Sequence, residues 1–246
     1  MKKSPYIHHK EIHNHNSAKK FVDYLYDIFK PESVIDFGCG VGNFLYSFKK
    51  LGANRVIGLD GNWVNEKQLL DFLQRDEFIS TDLTKSLEIQ GEYDLALSLE
   101  VAEHIGEEYA TQFVKNITKL SDVVVFSAAV PFQGGQNHVN EQWPEYWENI
   151  FLKYGYKKYD IIRPLIWNDP DILVWYKQNT FVYAKNKGEI ADLKGSFETN
   201  TRLIHPDLYH YKARQLELIQ SGRYAMVSYL KFFAKAILRR LKLYNS

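Results

Sequence analysis

Hydrophobic and polar positions along most of the chain follow two alternating periods. Short, nearly continuous apolar runs predict seven strands, at 33–37, 55–60, 77–82, 93–99, 122–128, 159–163 and 179–185. Helical spacing between the runs predicts helices at 17–29, 43–50, 64–74, 107–120 and about 144–154. Buried strands that alternate with helices are typical of a parallel sheet covered on both faces. The pattern therefore predicts an α/β fold.

The two ends of the chain have a different pattern. Residues 1–16 are polar and contain four of the eight histidines, which favours a flexible arm over a metal site. Residues from about 206 onward have helical spacing without strand signals. We therefore predict an arm at 1–16, one large domain at 17–186 and a C-terminal helical extension at 187–246.

The last helix is predicted to be amphipathic and basic. Its apolar face consists of Met226, Leu230, Phe233, Ile237, Leu241 and Tyr244, and its basic face of Lys231, Lys235, Arg239 and Lys242. Such a helix packs on its own domain, associates with a second copy of the chain, or lies on an anionic membrane surface as a peripheral contact. The pattern leaves these alternatives open.

Composition narrows the function classes. Cys39 is the single cysteine, so no disulfide framework and no cysteine zinc site is expected. No stretch approaches 18 consecutive apolar residues and the start lacks an apolar leader, so we expect a cytoplasmic protein. Residues 1–222 contain 25 basic and 30 acidic residues, a net charge of −5, and we expect no nucleic-acid partner for this part.

A glycine-rich turn follows the first predicted strand and carries the candidate chemistry. Asp36 is followed by Gly38, Gly40 and Gly42, and glycines let the backbone turn tightly and approach a ligand closely. Position 43 is Asn rather than Gly, so the spacing is not the dinucleotide fingerprint. The second strand ends in Asp60, placed for the hydroxyls of a ribose, and the third in Asp82.

These motifs resemble class I S-adenosylmethionine-dependent methyltransferases over about residues 30–185. VIDFGCGVGNFL, VIGLD, STDL and DLALSLEVAEHI fit the successive motifs of that family. The resemblance implies a Rossmann-like, seven-stranded, mostly parallel sheet with a reversed last hairpin, helices on both faces, and S-adenosylmethionine as cofactor. The cofactor-binding residues that it implies are Asp36, Gly38, Gly40, Asp60, Gly61, Asp82, Leu83 and Leu99.

A second group of polar residues is expected across the same crevice. Glu100, Glu103 and His104 follow the fourth strand, and His138 lies in the loop after the fifth. Carboxylates and imidazoles suit Mg²⁺ or Mn²⁺. The ExxEH pattern with a later His is similar to that of small-RNA 2′-O-methyltransferases, where these side chains hold a metal that grips vicinal hydroxyls. ExxEH alone is also similar to that of ubiquinone-pathway O-methyltransferases.

The role of these residues is left open between three hypotheses. The four side chains bind a divalent metal, or His138 is a metal-free general base assisted by Glu103 and His104, or the histidines only bind substrate or support structure. The setting of His138, GGQNHVNEQW, departs from that of the RNA enzymes.

The loop after His138 is a candidate acceptor site. Asn140, Gln142 and Trp143 combine amides with a flat ring, a mixture that suits a sugar. Trp167, Trp175, Tyr176, Gln178 and Asn179 are candidates for a lid. The wider sequence is also similar to a bacterial methyltransferase group associated with surface-polysaccharide biosynthesis.

We therefore predict an O-methyltransferase that acts on a carbohydrate hydroxyl, in a nucleotide-linked sugar or a capsule or lipopolysaccharide intermediate. The alternatives are an RNA 2′-O-methyltransferase with a metal site and a small-molecule methyltransferase for phenols or amines. A binding module without turnover and a membrane-associated assembly factor are the rivals from other classes.

Overall fold

Seven strands form one sheet in the order β3-β2-β1-β4-β5-β7-β6. The structure, a computed structural model, describes residues 15–185 and 202–241. The strands are β1 Ser33–Phe37, β2 Arg55–Asp60, β3 Phe78–Ser80, β4 Leu95–Leu99, β5 Val123–Ser127, β6 Tyr156–Tyr159 and β7 Phe181–Lys185. The helices are α1 His15–Phe29, α2 Asn43–Leu51, α3 Glu66–Leu69, α4 Glu107–Thr118, α5 Pro144–Leu152, α6 Arg163–Ile166, α7 Val174–Asn179, α8 Pro206–Gln220 and α9 Met226–Arg240.

The first five strands are parallel and the last two are reversed relative to them. β1 pairs in parallel with β2 and β4, β2 with β3, and β4 with β5. β7 then inserts between β5 and β6 and is antiparallel to both. This topology confirms the predicted Rossmann-like sheet with a reversed last hairpin. Because the parallel strands share one direction, their carboxyl ends meet at one edge, where ligands bind in such folds.

Alternate residues of the central strands pack on opposite faces, so the sheet is buried on both sides. Val124 and Phe126 belong to the same core cluster as Phe113 of α4. Val125 belongs to the other cluster, with Phe21 of α1. Successive side chains of a strand point to opposite faces, which explains why these strands are apolar at nearly every position.

Three predicted elements differ from the observed ones. The helix predicted at 64–74 has one regular turn, α3, which Asn65 caps by accepting a hydrogen bond from the Gln68 backbone. The strand predicted at 77–82 ends at Ser80, and the strand predicted at 159–163 is β6, which ends at Tyr159. The chain leaves β6 because Asp160 pairs with Arg163, which begins α6 and precedes a proline suited to a helix start.

The described residues form two compact units, the first ending at His205 and the second beginning at Pro206. Residues 202–205 belong to the first unit, where Gln178 bonds to the Leu203 carbonyl and the His205 amide. The proposed boundary at 186/187 adjoins residues 186–201, which lie outside the described part. Of the proposed arm, residues 1–14 also lie outside it, while α1 already begins at His15.

The second unit consists of α8 and α9, joined by a turn at 221–225. The Tyr229 hydroxyl of α9 donates toward the carbonyl oxygens of Leu218 and Ile219 at the end of α8. Lys242 and Tyr244, predicted on the two faces of the last helix, lie outside the described residues. Among the described helices, none is long and apolar enough to cross a membrane.

The buried ion pair after β6 provides a test of the fold. The Arg163 guanidinium, 2% exposed, binds both oxygens of Asp160 and lies over the Phe181 ring. Asp160→Ala is expected to lower the free energy of unfolding by about 3–5 kcal/mol, because it leaves a buried charge without its partner. Urea denaturation measures this.

Two further variants are the controls for that measurement. Asp160→Leu with Arg163→Met is expected to recover most of the loss, because no uncompensated charge remains. Arg75→Ala breaks the exposed pair with Glu66, in which the side chains are 75% and 63% exposed, and is expected to change stability far less. Equal losses for Asp160→Ala and Arg75→Ala would contradict this assignment.

Candidate active site

The glycine-rich turn lies between the carboxyl end of β1 and the start of α2. Gly38, Gly40 and Gly42 have φ values of 89°, 54° and 89°, in the left-handed region that favours glycine. A Cβ on Gly38 would lie 2.4 Å from a methyl carbon of Val101, in the segment after β4. The turn therefore requires glycine both for its backbone conformation and for its close approach to the neighbouring loop.

Asp60 connects this turn to the end of β2. Its Oδ2 accepts a hydrogen bond from the Gly40 amide at 2.8 Å, and its Oδ1 accepts one from the Gly61 amide at 2.6 Å. A carboxylate oxygen has two acceptor positions, so each retains capacity for a ribose hydroxyl. Asp36 lies nearby, where burial and the Asp60 charge raise its pKa to about 8.

Trp63 was not among the predicted site residues. A Cβ on Gly61 would lie 2.2 Å from the Trp63 ring, so the indole covers the glycine that follows Asp60. The ring is 39% exposed. Its position three residues beyond the acid at the end of β2 was the available sequence signal.

The third acid, Asp82, lies two residues beyond β3 and is exposed. Its Oδ1 accepts hydrogen bonds from the backbone and the hydroxyl of Thr84, which lower its pKa. Leu83 is buried in the core cluster that contains α4, and Leu99 is buried at the end of β4. The contact of Asp82 and Leu83 with an adenine stays a prediction.

Glu103, His104 and His138 converge at the neighbouring end of the crevice. One ligand atom from each side chain lies within 4.8 Å of the others. The Nε2 of His138 is 4.0 Å from Oε1 of Glu103, and the two imidazole rings are 4.8 Å apart at 84°. The loop is held in place by the Glu103 carbonyl, which accepts hydrogen bonds from the amides of Val139 and Asn140.

Glu103 is fully buried, and neither of its carboxylate oxygens accepts a hydrogen bond of good geometry from a described residue. Burial raises its pKa well above the ordinary value, the Glu100 charge adds to this, and the backbone amides of Glu103 and Ala129 oppose it. Burial lowers the pKa of His104 to about 4, so its imidazole is neutral at physiological pH. A buried acceptor of this kind is rare in proteins, and its known explanations include a catalytic role and a bound water or ion.

Glu100 is not part of the group of ligand atoms described above, but its carboxylate lies beside that of Glu103. Asn179 donates to both Glu100 oxygens, at 3.0 and 3.2 Å, and the Gln133 amide donates to Oε2 at 3.0 Å. The backbone of Glu100 has φ 55°, a strained value for a residue with a side chain. The role of Glu100 as a metal ligand stays a prediction.

Glu141 fixes the loop that carries His138. Its Oε1 lies 2.8 Å from Nδ1 of His138 and accepts a hydrogen bond from the Gly134 amide, while its Oε2 accepts one from Phe132. A Cβ on Gly135 would lie 2.1 Å from the imidazole. In the sequence, the only indication of this contact is that the acid lies three residues after the histidine.

The predicted acceptor residues lie in the segment that follows. Asn140 is buried and its side-chain oxygen accepts a hydrogen bond from Gln142 at 2.9 Å. Trp143 immediately precedes α5, and the Arg202 guanidinium lies 5.5 Å from the centre of its ring. Asn140 therefore supports the loop from inside, while Gln142 and Trp143 are partly exposed.

The residues considered for a lid are mostly internal. Tyr176, Gln178 and Asn179 are buried, and Tyr176 stacks on Phe21 of α1. The rings of Trp167 and His205 lie 4.4 Å apart and are tilted by 48°. Asn179 reaches the site by binding Glu100 rather than by covering it.

Comparison with known proteins agrees with this geometry. A family model described as a methyltransferase domain matches residues 8–150, more than half of the chain. The mitochondrial ubiquinone biosynthesis O-methyltransferase of Dictyostelium discoideum is 31% identical over 102 residues, a match that covers 36% of this chain and 31% of that protein. The matched segment is thus about a third of that relative's length.

Two solved structures share the fold. The methyltransferase domain of the bacterial protein CtHen1 is 20% identical, with a TM-score of 0.51, and the match covers 71% of this chain and 99% of that one. An O-methyltransferase family protein from Burkholderia thailandensis is 11% identical, with a TM-score of 0.50, covering 68% and 55%. The chain therefore belongs to the methyltransferase-domain family.

Proposed function

We propose that this methyltransferase acts on a carbohydrate hydroxyl, in a nucleotide-linked sugar or a capsule or lipopolysaccharide intermediate, and that Glu103, His104 and His138 hold a divalent cation beside it. The observation that carries the proposal is the buried Glu103 carboxylate, whose oxygens accept no hydrogen bond of good geometry from a described residue and which two imidazoles face. Asp60 and Glu100, by contrast, accept hydrogen bonds from amides.

The donor set fits a cation such as Mg²⁺ or Mn²⁺ in three respects. A carboxylate and two imidazoles are ligands for such ions. A His ligand typically donates its other ring N–H to a carboxylate or carbonyl, and Nδ1 of His138 lies 2.8 Å from Glu141. Nδ1 of His104 lies 3.3 Å from the Asn137 carbonyl in a similar arrangement. A bound cation would also balance the buried Glu103 charge.

The chain's residues bind and orient the two reactants. Asp60 and the glycine turn hold the cofactor, whose sulfonium supplies the methyl group. Methyl transfer is an in-line displacement, so the acceptor oxygen must lie opposite the sulfur, and such positioning contributes up to about 7–11 kcal/mol. A cation bound at the cluster would lower the pKa of an acceptor hydroxyl. Glu141 and Asn137 keep the two imidazoles in place.

A carbohydrate is favoured because it offers adjacent hydroxyls to such a site. Gln142 and Trp143 follow His138 closely in the sequence and are partly exposed. They provide an amide that suits the hydroxyls of a sugar and a ring that suits its C–H faces. The net charge of −5 over residues 1–222 weighs against a polynucleotide acceptor, whose phosphates attract basic surfaces.

Cofactor binding is expected to depend on Asp60. Asp60→Ala removes the acceptor that holds the Gly40 and Gly61 amides. We expect it to weaken S-adenosylhomocysteine binding by roughly 10- to 100-fold, because hydrogen bonds to charged groups are strong. Calorimetric titration measures this, with the exposed Asp71→Ala as the control. Similar affinities for the two variants would remove Asp60 from the cofactor site.

The cation site is tested with EDTA-treated protein and Mn²⁺, followed by electron paramagnetic resonance. Glu103→Gln and His138→Gln are expected to lower Mn²⁺ affinity at least about 100-fold, because each removes a ligand. Glu107→Gln, at an exposed position in the first turn of α4, is the control. Without metal, Glu103→Gln is expected to raise the melting temperature, because it removes the cost of burying a carboxylate whose oxygens accept no hydrogen bond of good geometry.

The alternative outcome of that experiment is equally informative. If the wild-type protein binds no Mn²⁺, yet His138→Gln abolishes turnover while keeping cofactor affinity, the cation is excluded. His138, oriented by Glu141, is then the general base.

The acceptor is tested by transfer of labelled methyl from S-adenosylmethionine to a panel of compounds. The panel contains nucleotide-linked sugars, their deoxy analogues that lack one of two adjacent hydroxyls, a catechol and a short RNA. We expect label in the sugars and much less in the deoxy analogues, because the site takes two adjacent oxygens. Label only in the catechol or the RNA would contradict the carbohydrate proposal.

A further inference from the structure

The last helix, α9, presents an apolar face that the rest of its own unit does not use. Met226, Leu230, Phe233, Ile237 and Leu241 fall within about 80° of one another on a helix that advances about 100° per residue. Each is between 42% and 74% exposed. Exposed apolar patches of this kind mark interaction surfaces.

The contact with the end of α8 is made by a different side of α9. Tyr229 bonds to the end of α8, and Phe232 lies against the rings of Tyr224 and Tyr229 at centroid distances of 6.4 Å. These two residues point about 40° or more away from the edge of the apolar face. The apolar face is therefore not the side of α9 that contacts α8.

The charge of the segment is uniform in sign. Residues 223–246 contain six basic residues and no acidic one. Lys231, Lys235 and Arg239 recur every four positions, so they lie on one side of α9, opposite the apolar face. Arg240 borders the apolar face next to Phe233.

We propose that α9 binds an anionic lipid membrane surface, lying in the plane of the headgroups with its apolar face toward the acyl chains. A helix with large apolar residues on one face and lysine and arginine on the other is suited to that position. Its 15 residues span about 22 Å, less than the roughly 30 Å of a hydrocarbon core, so it lies on the bilayer and does not cross it.

Charge favours a membrane over a second copy of the chain. If two α9 helices packed in parallel through their apolar faces, the two Arg240 side chains at the border would approach each other, and residues 223–246 contain no acid to offset that charge. Anionic headgroups instead carry the complementary charge. Each lysine or arginine near such a surface increases the membrane affinity about fivefold.

The test is flotation of the full-length protein with lipid vesicles. Vesicles that mix phosphatidylglycerol with phosphatidylcholine are expected to carry the protein, whereas pure phosphatidylcholine vesicles carry little. High salt is expected to weaken the binding. The charge variant Lys231→Gln/Lys235→Gln/Arg239→Gln is expected to lose roughly 100-fold in affinity.

Matched control variants distinguish the contribution of each face of α9 from the general effect of losing a leucine or a lysine. Leu230→Gln with Phe233→Gln is expected to lose at least about tenfold. Leu216→Gln, an exposed leucine of α8, is the apolar control, and Lys115→Gln with Lys119→Gln on exposed positions of the first unit is the charge control. Both controls are expected to bind like the wild-type protein, and circular dichroism checks the helix content of every variant.

Three outcomes would overturn the proposal. The first is equal binding to both vesicle types, and the second is an equal loss of binding in the α9 variants and their controls. The third is that the vesicles bind no protein, while sedimentation shows a lipid-free dimer that Leu230→Gln/Phe233→Gln dissociates. That result would assign the face to self-association. The affinity for S-adenosylhomocysteine is measured on the same protein. A failure of the membrane proposal is thereby distinguished from a failure of the proposed function.

Discussion

Burial of carboxylates at the carboxyl edge of the sheet is the constraint on which the site depends. Each acid there has lost water and must find another source of stabilisation. Asp60 has two backbone amides, Glu100 has two side-chain amides, and Asp36 has a pKa raised to about 8. Neither oxygen of Glu103 accepts a hydrogen bond of good geometry from a described residue, and one oxygen of Asp36 accepts none. Glu103 is thus the acid with the least hydrogen-bond support among these four.

The sheet and the cofactor half of the site were predictable because their signals are local. A strand buried on both faces is apolar throughout, and a turn with left-handed φ values needs glycine, so both can be recognised in the sequence. The order of β7 and β6 rested on family resemblance alone. The end of β6 was misjudged because the pairing of Asp160 with Arg163 overrides the apolar pattern of the residues between them.

For the half of the site around His138, the sequence predicted which residue types are present but not which side chains contact each other. His138 and Glu103 were identified from residue type and spacing, and they do lie together. Glu100 shared the same signal, yet its partner Asn179 is 79 positions away in the chain, and no local pattern indicates that contact. Glu141 and Trp63 likewise take their importance from what they touch. Side-chain partners far apart in sequence decide which of several similar acids stays uncompensated.

The insertion of β7 between β5 and β6 also has a consequence for biosynthesis. β5 emerges from the ribosome well before its neighbour Phe181–Lys185, so its edge waits unpaired for about 3 to 10 s at roughly 5–20 residues per second. An apolar, unpaired strand edge is a template for intermolecular pairing. The nascent chain therefore passes through an aggregation-prone interval, and slower translation of residues 128–180 would lengthen it.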